Sequence, residues 1–446
     1  MNIFKRKKRG RIAVFSIDGL PYSFVRLMAE KGVMPNLGAL YASGKMRRMN
    51  SVYPTISSVA WSSFMTGVNP GQHNIFGFID REPNPLDMFI PTSSAMKVRT
   101  LWEYLSSAGK RSVVINVPVT YPPRNINGVL ISCFLATKVE KCVYPESYVP
   151  KLQQWNYRID VDSWLGRKDK DKFMQDLYNT LERRLYTGMQ LMQSEEWDYF
   201  HLHIMESDRI CHFLWAQWEQ GDGKWAPQFE NYFAEIDKCL GKFRDKLPDG
   251  TQLIVMSDHG FCAVKKEVYV NKWLADNDYL KFNTDNPQSL AEISPETKAY
   301  SLIPGRIYIN LKGREWAGTV ASGQEYDELR QQISTEIKEM EDSECGAKIV
   351  DKVFMREAIY KGNYLKRAAD IIVIPKNGYD FKGNLTADEL ASKSELTGMH
   401  TYDDAMLYIE DTDLAEGEIE IIDVLPTIFT LMKVEMPFIV EGKSLV

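Results

Sequence analysis

The chain has 446 residues, 44% apolar and 26% charged, with a net charge of −6. That length can bury a large core in one inserted domain or two lobes, and the acidic balance excludes a broad basic surface for duplex nucleic acid. No apolar run approaches the roughly 20 residues that span a bilayer, and six cysteines without CxxC spacing point to free thiols in a reducing, cytoplasmic setting.

The chain opens on FKRKKRGR, with six positive residues between Lys5 and Arg11. No apolar stretch follows that is long enough for a secretory signal. A solvated tail is the simpler reading, and weak contact with an anionic membrane surface the sharper one. RIAVFSID is an apolar run ending in an acid, which predicts a buried strand with its functional end at Asp18. Helices are expected near Tyr22 to Lys31 and Pro35 to Ser43, then from Ser57 to Met65, where Thr66-Gly67 stops the helix. The period predicts a helix from Val98 to Ala108 with Gly109 as its C-cap. SVVINVP and GVLISCF read as short buried strands. A long polar helix is expected from Lys170 to Ser194, then the strand YFHLHIM, a helix from Pro227 to Lys246, and the strand TQLIVMSD. Beyond Cys262 come RIYINL, a helix from Glu325 to Met340, AKIVDKVFM and ADIIVIP. AMLYIED and IIDVLPTIFTLM close the chain as a strand and a helix.

Alternating strands and helices predict an α/β fold: a doubly wound, largely parallel central sheet with helices on both faces. Residues 1–261 and 376–446 are expected to form this core, and 262–375 a smaller inserted mixed α/β lobe. Ligands of such sheets sit beyond the carboxyl ends of the strands. Asp18, Asp208 and Asp258-His259 fall at or just after predicted strand ends, which places them on one edge.

Asp208 and His212 are four residues apart at a helix start, so they share a face one turn apart, as two ligands of one metal would. A solvated aspartate beside a core histidine is the simpler account of that pair alone. Asp258-His259 can serve one centre only if the chain turns after the strand, which Gly260 permits. His400 lies in the polar loop TGMHTYDD. Ser57 opens a helix whose positive end suits a phosphoryl oxygen, although Thr55, Ser57 and Ser58 also fit as capping groups. His201 and His203 share a strand face and read first as packed residues. His73 in NPGQHNIFGF reads as shaping a turn.

Taken together, these motifs resemble the type I phosphodiesterase / nucleotide pyrophosphatase group of the alkaline phosphatase superfamily. The similarity is most specific in YPTISSVAWSSFMTGVNPGQHNIFGF and extends to LWEYLSSAGKRSVVINVPVTYPP and IIDVLPTIFTLM. The resemblance implies two divalent ions, Zn²⁺ first and Mn²⁺ second. Asp18, Ser57, Asp258 and His259 would hold one ion; Asp208, His212 and His400 would hold the other. Ser57, nine residues before Thr66, would be the nucleophile and pass through a phospho-Ser57 intermediate, with Ser58 the fallback if the register slips. Ala60 stands where related pyrophosphatases carry an asparagine that holds a phosphate oxygen. No arginine adjoins Ser57 as in alkaline phosphatases, and the C/S-x-P-x-R segment of sulfatases is absent there.

The activity implied is metal-dependent hydrolysis of a small phosphodiester or phosphoanhydride. A phosphomonoesterase or a phosphomutase or phosphotransferase on the same centre is the alternative, and a non-catalytic metal-binding protein a third reading. In the smaller lobe Arg306, Arg314, Lys361, Tyr308 and Tyr360 are candidates to line the substrate, each more simply read as solvated or structural.

Overall fold

The computed structural model describes residues 10–437 and 439–446. The basic residues from Lys5 to Arg9 lie outside the described residues. By contacts the chain forms two compact units, one of residues up to 69, 92–261 and 400–446, the other of 70–91 and 262–399.

The larger unit is built on an eight-stranded sheet. Its centre is parallel: Thr251–Met256, Arg11–Ile17, Tyr199–Ile204, Ser112–Ile115 and Gly128–Ile131 lie side by side in that order. Ala405–Ile409 and then Arg47–Met49 extend one edge in antiparallel fashion, and Val143–Tyr144 the other. The central strands are largely buried and mostly apolar because both faces are covered. On one face Phe15 and Phe200 meet Phe243 of the helix Trp225–Asp245, at 5.3 and 5.8 Å between ring centroids. The opposite face takes Trp61 and Phe64 of the helix Ser57–Thr66, which pack on the imidazoles of His201 and His203. Ile17 and Ile204 are in register, so the turns that follow them leave the same edge of the sheet.

In the smaller unit an antiparallel four-stranded sheet runs Ala299–Leu302, Arg306–Ile309, Ile371–Pro375, Val350–Met355. The helix Gln324–Glu336 contributes Tyr326, Leu329 and Ile333 to its core. The sequence expectation ended this lobe at residue 375 and began it at 262. Residues 376–399 stay with it because Tyr379–Lys382 and Ala391–Ser392 both pair with Lys266–Tyr269. Residues 70–91 join it because Arg81 is buried there against Glu315, at 2.6 Å. Short polar strands carry too little periodicity to reveal either boundary.

Several helix ends differ from expectation for local reasons. The helix expected from Val98 starts at Leu101, since Thr100 and Glu103 form a reciprocal capping box. The helix expected to reach Met340 ends at Glu336 and tightens into a 3₁₀ turn over Ile337–Glu339. Among the described residues no helix is long and apolar enough to cross a membrane. All six cysteines are free thiols.

Candidate active site

Asp18 follows the central strand Arg11–Ile17 directly. Gly19 then turns the chain at φ 66°, where a side chain would collide with the Phe261 ring. Its amide donates to Asp258 Oδ1 at 3.0 Å, which ties two strand ends together. Asp258-His259 follows Thr251–Met256. Gly260 is required for space rather than for an unusual φ, because a Cβ there would lie 2.5 Å from Thr401 Oγ1. Asp208 and His212 project from the helix Glu206–Glu219, and His400 from the short strand Gly398–Thr401.

Ser57 is the first residue of a fully buried helix, and Ile56 holds the cap position without a side-chain cap. Its hydroxyl is therefore not spent on capping. Ser57 Oγ lies 3.1 Å from both Asp18 Oδ1 and His259 Nε2. Ser58 Oγ is buried and makes no hydrogen bond, so Ser57 is the serine that converges with the acidic residues. Thr55 turns its hydroxyl back to the Val52 carbonyl.

All seven residues singled out from the sequence come together. Asp18, Asp258 and His259 form one group of potential ligand atoms, and Asp208, His259 and His400 a second. His259 thus belongs to both. Its ring stacks on His400 with centroids 3.7 Å apart. His212 Nε2 completes the second group, 3.3 Å from Asp208 Oδ1 and 3.1 Å from His400 Nε2.

Ring nitrogens on the outside of the cluster are tied to backbone. His259 Nδ1 donates to the Gly260 carbonyl at 3.0 Å, and His400 Nδ1 to the Thr55 carbonyl at 3.1 Å. With their protons on Nδ1, both histidines turn an Nε2 lone pair toward the aspartates. Asp258 Oδ2 makes no hydrogen bond although it lies 3.3 Å from His259 Nε2. Buried lone pairs facing one another, with few protons among them, are a donor set that a cation satisfies and that is costly without one. Mixed carboxylate and imidazole ligands suit a borderline divalent ion.

The neighbours of these groups shift their charges. Burial, with the Asp18 carboxylate beside it, pushes Asp258 well above the usual carboxylate range. Burial also holds His259 at about 3, and nearby His400 adds to that. For Asp208 burial opposes ionisation, but His212 and His400 overcome it and leave the carboxyl well below its ordinary value. Burial disfavours a charged His400, yet Asp208 raises its pKa.

Residues around the centre were less legible in the sequence. Trp61 Nε1 donates to Asp18 Oδ2 at 2.8 Å, and Ser207 Oγ donates to the Asp18 carbonyl at 2.6 Å. Arg209 reaches both Asp160 at 2.8 Å and Asp208 at 3.6 Å. Beyond Arg209 lies a pocket of about 350 Å³ lined by Phe134, Thr137, Arg158 and Asp160 among others. Arg306, Tyr308 and Tyr360 are buried inside the smaller unit rather than presented to solvent. Arg314 is held by Asp370 and Glu315, while Lys361 is exposed. His73 is buried and accepts the Ile75 amide at 3.1 Å, in keeping with a turn-shaping role.

A doubly wound sheet with acidic and imidazole groups gathered at the carboxyl ends of its strands is the arrangement of a metallohydrolase of the alkaline phosphatase type. Residues 12–403 match the model of the family described as type I phosphodiesterase / nucleotide pyrophosphatase. The chain belongs to this family of phosphoester hydrolases, whose members are metalloenzymes. A comparison with curated proteins found no match. Among solved structures, phosphonoacetate hydrolase from Sinorhizobium meliloti 1021, in complex with phosphonoacetate, is similar with a TM-score of 0.66 at 16% identity over 96% of both chains. Human ectonucleotide pyrophosphatase / phosphodiesterase 5 is similar with a TM-score of 0.57 at 15% identity, again over 96% of both. At these identities the likeness is one of fold.

Proposed function

We propose that this chain hydrolyses a small phosphodiester or phosphoanhydride, with Ser57 as the nucleophile and two divalent ions in the centre. Asp18, Ser57, Asp258 and His259 would hold one ion, and Asp208, His212 and His400 the other, with Zn²⁺ the expected metal. The observation that carries this reading is the position of Ser57 Oγ, 3.1 Å from Asp18 and 3.1 Å from His259, at a helix start. When bound, the ions supply charge stabilisation for phosphoryl oxygens and a lowered pKa for the Ser57 hydroxyl.

The residues of the chain then account for positioning. The first bond of the Ser57 helix runs from the Val59 amide to the Ile56 carbonyl. The amides of Ser57 and Ser58 precede it at the positive end of the helix, where free N–H groups favour a phosphoryl anion. Ser57 Oγ forms a bond to phosphorus as the bond to the leaving oxygen breaks, and the departing alcohol or phosphate takes up the proton that the Ser57 hydroxyl gives up. Water then displaces Ser57 Oγ from phosphorus and restores the hydroxyl. Ala60, buried beside the nucleophile, offers no side-chain donor to the phosphate, so oxygen binding falls to backbone amides and the centre itself.

We take the pocket beside Arg209, whose Asp160 wall is joined to Asp208 through that arginine, as the place for the organic part of the substrate. Thr137 is exposed on its wall. Thr137→Trp should raise KM about tenfold for bulky diesters while changing that for methyl p-nitrophenyl phosphate less than twofold, on the scale of a few lost contacts. Equal effects on both substrates would remove this assignment.

The test of the main reading compares bis-p-nitrophenyl phosphate with p-nitrophenyl phosphate, with Zn²⁺ or Mn²⁺ and with chelator. Phosphonoacetate, the molecule bound by the structural neighbour, belongs in the same panel. Metal-dependent cleavage favouring the diester is expected. Ser57→Ala should lower kcat by on the order of 10³-fold or more, with metal content and melting temperature nearly unchanged. Full activity in Ser57→Ala would refute the nucleophile, and preference for the monoester would shift the reading to a phosphatase or mutase.

A further inference from the structure

Beneath Asp18 runs a line of fully buried polar groups that the proposed chemistry does not use. Tyr199 Oη lies 3.0 Å from His201 Nδ1, His201 Nε2 lies 2.7 Å from Ser16 Oγ, and Ser16 Oγ lies 2.8 Å from His203 Nδ1. His203 Nε2 then lies 3.2 Å from Asp18 Oδ2. This last contact is an ion-pair distance that misses hydrogen-bond alignment. All five side chains are sealed from solvent. Polar groups are placed in a sheet core at a penalty unless their protons are matched, and here the neighbouring strands supply matched partners from the same face, with Ser16 opposite His203 in register.

The proton directions follow from one end. Read as a cation ligand, Asp18 can only accept at Oδ2, and the group that suits it 3.2 Å away is His203 Nε2–H. A ring with its proton on Nε2 then offers the Nδ1 lone pair, which the Ser16 hydroxyl 2.8 Å away satisfies as donor. Ser16 Oγ in turn accepts from His201 Nε2–H, and His201 Nδ1 accepts from the Tyr199 hydroxyl. Burial lowers His201 well below its ordinary pKa and raises Tyr199 well above its own, which keeps the imidazole neutral and the phenol protonated. Trp61 donates to the same Asp18 oxygen, and its ring packs edge-on against His203 with centroids 4.7 Å apart. The second oxygen, Oδ1, is left to face Ser57.

We propose that Tyr199, His201, Ser16 and His203 form a directional hydrogen-bond chain that holds Asp18 in the orientation that presents Oδ1 to the metal centre and Ser57. His203 is the positioning residue, and Ser16 fixes its tautomer. The inference rests on the reading of Asp18 as a cation ligand, and it adds a second layer of residues to that site. Without the Ser16 hydroxyl the ring is free to carry its proton on Nδ1, which would set a lone pair against the carboxylate and turn Asp18 away.

The experiment pairs two readouts on the full chain. Histidine tautomers are read from long-range ¹⁵N–¹H NMR of metal-free protein labelled at histidine, and Zn²⁺ affinity is read by competition with a chromophoric chelator. Wild type should show the Nε2–H tautomer at both His201 and His203. Ser16→Ala should mix the His203 tautomers and weaken Zn²⁺ binding by roughly 10-fold or more, the usual effect of losing a group that orients a ligand. His203→Gln, which keeps an N–H near the Nε2 position, should retain affinity within about threefold, whereas His203→Leu should lose on the order of 10–100-fold. If Ser16→Ala does not fold, Tyr199→Phe removes a single hydroxyl at the far end and should mix the His201 tautomers. An Nδ1–H tautomer at His203 in the wild type, or wild-type affinity in Ser16→Ala, would overturn the proposal. Failure of the site reading itself looks different: the wild type then binds no Zn²⁺, and both ideas fall.

Discussion

Burial and the Asp18 carboxylate push Asp258 well above its ordinary value of 3.8, whereas two histidines pull Asp208 well below the same value. These two carboxylates of one site therefore respond to pH in opposite directions. The stabilisation from a protonated Asp258 is complete below about 4 and is lost as pH rises through the raised folded pKa. The stabilisation from an ionised Asp208 is present above that unfolded value and is lost as pH falls through the depressed folded pKa. Near neutral pH the metal-free protein carries the Asp258 penalty. Asp258→Asn should accordingly raise the melting temperature of the chelator-treated protein by a few degrees, on the scale of about 1 °C per kcal/mol in a protein this large. It should also abolish the further rise on adding Zn²⁺. A lower melting temperature for the metal-free variant would show that Asp258 is not held against its charge. None of this is legible from the letters, because DHG after an apolar run names two ligand types but not the carboxylate that faces them.

The helix that delivers Asp208 and His212 is anchored at its first residue. Glu206 is wholly buried and accepts two hydrogen bonds from Arg184, at 3.1 and 2.7 Å, from the long helix Lys170–Ser194. Arg184 is itself fixed by the Tyr157 hydroxyl and the Ile159 carbonyl. Breaking one side of a buried ion pair leaves the other charge without compensation. Arg184→Leu should destabilise the fold by about 3–5 kcal/mol, and adding Glu206→Leu should recover most of that loss, both measured by urea unfolding. A double variant no more stable than the single would mean that Arg184 acts through packing alone. At this scale the sequence was a good guide to elements and a poor one to their fastenings. The strands ending in Asp18 and Asp258 and the helix of Ser57 stood out by apolar runs and a glycine stop, and Gly67 does cap that helix at φ 68°. Arg184 sits among many charged residues on a polar helix, and nothing local marks it as the one that is buried.

Across the larger unit the site joins five separate stretches of chain at one sheet edge, so cation binding should tie the unit together as well as serve chemistry. A ligand that binds only the folded state adds about 4 kcal/mol when present at roughly a thousand times its Kd. Zn²⁺ in that excess should raise the melting temperature by several degrees and chelator should reverse the rise, followed by calorimetry. His400 carries the opposing effect, since Asp208 favours its protonation; metal affinity should fall as acid fills that nitrogen. A melting temperature indifferent to metal would argue against a centre held by these residues.

The amino-acid sequence by itself determined the alternation of strands and helices, the placement of acids at strand ends, and the residue types of the site. Those follow from local periodicity and from the rule that parallel strands open their carboxyl ends to ligands. Only the tertiary structure decided that Ser57 rather than Ser58 faces Asp18, and that His259 belongs to both ligand groups. It also decided that His203 faces Asp18 directly and that Ser16 links His201 to His203. Such choices depend on side-chain direction and strand register between segments up to hundreds of residues apart, and no local pattern records the register of one strand against another.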